Sequence, residues 1–143
     1  MKDTQLKKDI MNIDFDLYGA VIISGTALSA EPSRSAVMEA IDISTKKNIP
    51  LIIDIDYRPY NWESNQVKSD VYKKVLKKMD IIIDDGSHLR KDVIKSFHLL
   101  FPYLNNNGLY VVEDMQTSYN HFFGGNPFDL KYSNSHMNFF KHL

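Results

Sequence analysis

Four side chains in this sequence are of types that hold a hard metal ion and move a proton: Asp85, His88, Glu113 and Asp114. They fall in two short runs, Asp84-Asp85-Gly86-Ser87-His88 and Glu113-Asp114, each directly after an apolar segment. If those segments are adjacent parallel strands, both runs lie on the carboxyl edge of one sheet, where open α/β sheets bind ligands. Carboxylates are hard oxygen donors and favour magnesium, manganese or calcium over softer metals. Magnesium keeps several waters, which leaves room for the vicinal hydroxyls of a substrate. A bound cation acidifies an oxygen ligand, and a neutral histidine beside it can take the proton. Plainer roles stand beside this one. An acid at a strand end often caps a helix or anchors a loop, so Asp84 reads as structural and Ser87 as a cap for the following helix. His98, His121, His136 and His142 receive no role.

The composition narrows the class. The chain has 143 residues, 43% of them hydrophobic and 24% charged, with a net charge of −1. That suits one soluble domain and gives no pull towards nucleic acid or an acidic membrane. Cysteine is absent, which excludes disulfides, zinc-thiolate centres and thiol nucleophiles. The N-terminal run is polar and leads into no long apolar stretch, so the expected compartment is the cytoplasm.

Four apolar runs alternate with helical patterns. Residues 1–18 read as a short helix or irregular lead-in. Gly19–Gly25 reads as a strand buried on both faces, Leu51–Asp56 as the second strand, Ile81–Ile83 as the third and Leu109–Val112 as the fourth. A helix opens at Pro32-Ser33 with Val37, Ala40 and Ile41 on one face, and Asn48-Ile49-Pro50 ends it. The clearest helix carries Val67, Val71, Val75 and Met79 at intervals of four, with Tyr72 and Leu76 alongside. Its lysines lie largely on the other face, as a solvated surface. A third helix over residues 90–104 should bury Val93, Ile94, Phe97, Leu100 and Phe101, before Asn105–Gly108 stops it.

The expected fold is therefore α/β, a Rossmann-like parallel sheet of about four strands in β-α-β-α-β-α-β order. Right-handed crossovers between neighbours put the helices on one face. An irregular aromatic C-terminal tail follows, with a last helical turn over residues 137–142. Its rings, including Tyr119, Phe122, Phe123, Phe139 and Phe140, read as packing. The whole of 1–143 reads as one domain.

The first half resembles the ribokinase-like sugar kinases. The stretches Ile23-Ser24-Gly25-Thr26-Ala27-Leu28-Ser29, Glu31-Pro32-Ser33-Arg34 and Asp54-Ile55-Asp56-Tyr57-Arg58-Pro59-Tyr60-Asn61-Trp62 are similar to 5-dehydro-2-deoxygluconokinases, over residues 17–80. The resemblance implies ATP as cofactor, a sugar acid as substrate and Arg58 near the substrate and phosphates. The family's Gly-Ala-Gly-Asp segment, whose aspartate is the base, is absent.

The second half, residues 80–143, resembles macrocin-type sugar O-methyltransferases. It does so through Asp80–His88, Phe101-Pro102-Tyr103-Leu104, Gly108–Tyr119, Phe123-Gly124-Gly125-Asn126 and Met137–Lys141. That resemblance implies S-adenosylmethionine and magnesium as cofactors and a small-molecule sugar as substrate. Asp85, Glu113 and Asp114 match its metal ligands and His88 its catalytic base. The glycine-rich turn that binds the cofactor in this class has no counterpart, since Gly25 stands alone after the first strand. Asp54 and Asp56 stand where the ribose-binding acid would, but belong to the kinase-like motif. The expectation is a transferase-related hybrid with a seam near residue 80 and neither active site complete. Neither a nucleic-acid nor a membrane partner is expected. Self-association is expected through open sheet edges.

Overall fold

The computed structural model describes residues 2–56 and 59–143. Arg58 lies outside the described residues. The elements in chain order are α1 (Lys2–Met11), β1 (Val21–Ser24), α2 (Ser33–Lys47), β2 (Leu51–Ile55), α3 (Asn65–Leu76), β3 (Ile81–Asp84), α4 (Arg90–Leu100), β4 (Leu109–Val112) and α5 (His136–Phe140), joined in places by short 3-10 turns. The four strands form one parallel sheet in the order β1-β2-β3-β4. This is the α/β Rossmann-like arrangement that the alternation predicts.

Local chemistry sets the ends of the elements. Asn48 closes α2 in the left-handed region at φ 54°, its N–H returned to the Ser44 and Thr45 carbonyls. Ser64 caps α3 by accepting from the Val67 N–H. Pro102 cannot donate to a helix ladder, and α4 tightens into a 3-10 turn over Phe101–Tyr103 instead of continuing to residue 104.

Side chains alternate across the strands, so each register row belongs to one face. The row Ile23, Ile53, Ile82 and Tyr110 faces the helices. Leu28, Ile41, Val75, Leu76 and Met79 close over it to make the core. On the opposite face two further rows run across the sheet: Ile22, Ile52, Ile81 and Leu109, then Ser24, Asp54, Ile83 and Val111. Ile22 is 70% exposed and Leu109 is 60% exposed. The expectation that β1 is buried on both faces is thus corrected. Every crossover runs the same way to a sequential neighbour, so all its helices fall on one side.

Two further expectations about burial change. Phe101 is exposed, and Ile94, Phe97 and Leu100 are only partly buried, because α4 covers an edge strand with no layer beyond it. Phe97 still gathers the aromatic rings, stacking on Phe101 at 4.8 Å and meeting Tyr110, Phe139 and Phe140 edge-on. Phe139 and Phe140 therefore pack, as expected of the tail, whereas Phe122 is exposed. The N-terminal residues form α1, which lies against α2, with Lys7 Nζ 2.8 Å from Glu39 Oε2.

Asp80, just before β3, ties three strands together. Its Oδ2 accepts from the Leu51 N–H at 2.9 Å, its own N–H donates to the Leu51 carbonyl at 2.9 Å, and its carbonyl accepts from Leu109 N–H at 2.9 Å. Asp80→Ala removes a charge-assisted bond at the start of β2. It should cost about 1.5–3 kcal/mol, read as a lower urea midpoint with unchanged slope.

Candidate metal centre

β3 and β4 are neighbours, and the Glu113 N–H donates to the Asp84 carbonyl at 3.1 Å, so both acidic runs leave the sheet side by side. Just beyond the strands the chain brings Asp85, His88 and Asp114 together. One ligand atom from each lies within 4.8 Å of the other two. His88 Nε2 is 3.6 Å from Asp85 Oδ1 and 3.4 Å from Asp114 Oδ2. All three are partly open to solvent, so water can complete a coordination shell. Glu113 does not join them. It is exposed, and the left-handed turn at Asp114 directly after it sends the two side chains apart. His88, expected beside the ligands as a base, stands between the two carboxylates. There a neutral imidazole is a third donor, and an imidazolium competes with a cation for the same oxygens.

Two of the three residues have left-handed backbones, His88 at φ 57° and Asp114 at φ 52°. Each costs roughly 1–2 kcal/mol relative to the right-handed region. The surroundings hold both. Thr117 donates its N–H at 2.9 Å and its hydroxyl at 2.7 Å to the Asp114 carbonyl. Gln116 Nε2 donates to Asp114 Oδ1 at 2.8 Å, and the Phe123 ring meets the His88 ring edge-on at 6.4 Å.

Asp84 has a different fate from its neighbour. It is buried on the helical side of β3 and accepts the Tyr110 hydroxyl at 2.7 Å. Burial pushes its carboxyl above the usual carboxylate range, and burial beside that carboxyl pushes the Tyr110 phenol up as well. Ser87 is not the cap of α4. The cap position is Leu89, and the Ser87 hydroxyl donates to Asp92 in the first turn at 2.6 Å. A cavity of about 480 Å³ opens between α3 and α4. Asp84, Gly86 and Ser87 help to line it, so it borders the loop that carries Asp85 and His88.

The sequence pattern missed three contributors. Asp54, at the end of β2, is raised above its ordinary value by burial and by Asp85 and Asp56, which puts its carboxyl in the field of the cluster. Thr117 is buried and holds Asp114. His136 is fully buried, its Nε2 3.2 Å from Thr117 Oγ1. Burial, Arg90 and His88 hold the His136 imidazole below its ordinary value. A histidine depressed in the folded state stabilises it fully above the unfolded value, and the contribution falls as pH drops below that value towards the folded one. Stability should therefore fall as pH is lowered from neutrality through the range below 6.5, and His136→Gln should remove that part of the slope in urea titrations.

The end of β1 is closely packed among the described residues. A β-carbon on Gly25 would meet Tyr72 Oη at 2.8 Å and the Asp54 carbonyl at 3.1 Å, so the glycine is needed by the chain's own packing. Thr26 donates to the Asp56 carbonyl at 3.1 Å. Among the described residues the strand order is sequential, β1-β2-β3-β4, without a reversal.

The fold is a four-stranded parallel α/β sheet with an acidic cluster at its carboxyl edge, and comparison with known proteins gives one similarity in sequence and another in fold. No family model matches the chain. In sequence it is similar to 5-dehydro-2-deoxygluconokinases. It is 37% identical to that of Halalkalibacterium halodurans over 76 residues, which are 53% of this chain and 22% of the relative. It is 38% identical to that of Mesomycoplasma hyopneumoniae over 100 residues, 68% of this chain and 29% of the relative. In fold it is similar to the MycE methyltransferase of the mycinamycin biosynthetic pathway, solved in complex with Mg and SAH. The TM-score is 0.50 at 22% identity, over 90% of this chain and 39% of that one. The chain thus spans about a quarter of the curated relatives it matches.

Proposed function

We propose that this chain is a transferase-derived hybrid which keeps the divalent-cation site of a sugar O-methyltransferase without a complete transfer site. The observation that carries this is the convergence of Asp85, His88 and Asp114 within 4.8 Å, two of them in left-handed backbone. Strain of that kind persists only where surrounding structure holds it, and it gathers at binding sites. Two carboxylates and an imidazole suit magnesium or manganese completed by water. A cation so held would acidify a sugar hydroxyl. The chain's own part is to hold the cation with Asp85 and Asp114, to offer His88 as third donor or proton acceptor, and to lend the negative field of Asp54. Glu113 faces solvent in this reading and serves neither role.

Calorimetric titration tests it. Magnesium or manganese should bind, and S-adenosylmethionine should give no heat with or without the metal. Absence of cation binding at millimolar concentration would remove the proposal. Binding of S-adenosylmethionine would instead restore a methyltransferase reading.

The identity with the sugar kinases favours a second reading, in which the segment around Asp54–Trp62 keeps affinity for ATP or a sugar acid. That reading requires a rise in thermal midpoint with ATP or 5-dehydro-2-deoxygluconate, lost in Arg58→Ala.

A further inference from the structure

α3 and α4 each turn one stripe of side chains towards the other. On α3 the stripe is Lys68, Ser69, Tyr72, Lys73 and Leu76, and on α4 it is Asp92, Lys95, Ser96, Leu99 and Leu100. Both follow the three-and-four spacing that sets residues on one helix face. The stripes do not meet, and the cavity of about 480 Å³ lies between them. That volume is within the roughly 300–1,000 Å³ range of small-molecule sites. Ile55 and Leu76, both buried, belong to its floor. The C-terminal ends of the two helices, with Leu99, Leu100 and Tyr103, make one end of it apolar. Lys73 and Lys95 are exposed and belong to its rim. Lysine stems extend an apolar wall while their ammonium groups reach water. Three lysines stand against two acids in the lining, and both acids are engaged. Asp92 accepts the Ser87 hydroxyl at 2.6 Å, and Asp84 accepts the Tyr110 hydroxyl at 2.7 Å. Among the described residues Lys73 and Lys95 form no ion pair. The cavity thus carries a surplus positive charge above an apolar floor.

We infer that this cavity binds a single-headed organic acid, its carboxylate held at the lysine rim and its aliphatic or aromatic body laid between α3 and α4. The balance of charge decides for an anion, and a single surplus positive charge matches a carboxylate better than a phosphate dianion. The apolar end decides for a ligand with a body, since a small hydrated anion would leave that end uncovered. The hydroxyls of Ser69 and Ser96 supply further donors within the same lining. Asp85, His88 and Asp114 are not part of that lining, and the inference does not rest on the cation site.

Calorimetric titration with decanoate, below its micellar concentration and with a chelator present, tests it. Decanoate should bind. Decanol, with the same body and no charge, should bind roughly tenfold more weakly, the loss of one charge-assisted contact. Lys73→Glu and Lys95→Glu alter exposed positions, so the fold should survive with unchanged circular dichroism. Each should weaken decanoate by about tenfold and leave decanol nearly unchanged. Leu99→Asn, also at an exposed position, should weaken both ligands. Ile22→Ser, on the other face of the sheet, should leave decanoate binding unchanged. If a variant loses its fold, salt gives the same reading on the parent protein: added salt should weaken decanoate and should not weaken decanol. Absence of decanoate binding overturns the inference. So do equal affinities for decanoate and decanol, and so does binding that Ile22→Ser weakens and none of the cavity substitutions does.

Discussion

Asp85→Ala and Asp114→Ala should each weaken magnesium or manganese binding by about a hundredfold or more, while Glu113→Gln should leave it nearly unchanged. The magnitude follows from ligand number. Losing a group that merely orients a ligand typically costs ~10–100-fold in metal affinity, and losing a ligand costs at least that. Asp85 and Asp114 are the two hard donors of the cluster, so either deletion leaves one carboxylate and an imidazole. Glu113 lies outside it. Asp114→Gly sharpens the test. Glycine adopts φ 52° without penalty, so the backbone strain is relieved by roughly 1 kcal/mol while the ligand is lost. Stability and cation affinity should then move in opposite directions, the signature of a site that stores strain for binding. Manganese titration followed by paramagnetic relaxation, paired with urea unfolding, reads both. Equal affinity in Asp114→Gly and the parent would rule out Asp114 as a ligand.

The sheet was legible because its strands are runs of isoleucine, leucine and valine between helices of clear period. The same runs misled about burial. A continuous aliphatic strand reads as buried on both faces, and only the direction of successive crossovers decides whether a second layer exists. Here all three crossovers advance one strand the same way, so Ile22 and Leu109 remain in water. At the site, the end of a strand is a good predictor of neighbourhood and a poor one of direction. Asp84 and Asp85 are adjacent in sequence, yet one is buried against Tyr110 and the other joins His88 and Asp114. Glu113 and Asp114 part in the same way. The left-handed turns at His88 and Asp114 aim the cluster; aspartate and histidine adopt that conformation more readily than most residues, but their type alone does not say where they do so. His136 was illegible for another reason. It lies remote in sequence from Thr117, and it is brought there only by the fold of the tail.

That fold of the tail makes Gly125→Ala the substitution with the largest expected effect on stability. A β-carbon at Gly125 would fall 2.1 Å from the Ser118 carbonyl oxygen and 2.3 Å from its carbon. Both are backbone atoms of a fully buried residue, so no rotamer change can relieve the clash. Ser118 is also the peg on which the tail hangs. Its carbonyl accepts from the Asn126 N–H at 3.2 Å and its hydroxyl accepts from the Met137 N–H at 3.0 Å. Displacing it strains the 3-10 turn over Met115–Tyr119, which begins immediately after Asp114 and contains the Thr117 that holds it. Overpacking a close-packed site costs typically about 1–3 kcal/mol, and the backbone contact puts this case at or above the upper end. Gly124→Ala is the control. Its φ of 84° is unfavourable to alanine, but a β-carbon there meets only Arg90 Cβ at 3.7 Å, so the cost is backbone strain of roughly 1–2 kcal/mol. Gly125→Ala should therefore lower the urea midpoint further than Gly124→Ala. It should also weaken cation binding, because the clash is transmitted through Thr117 to Asp114, the ligand proposed above. A Gly125→Ala protein with unchanged cation affinity would show that the tail docks independently of the site it flanks.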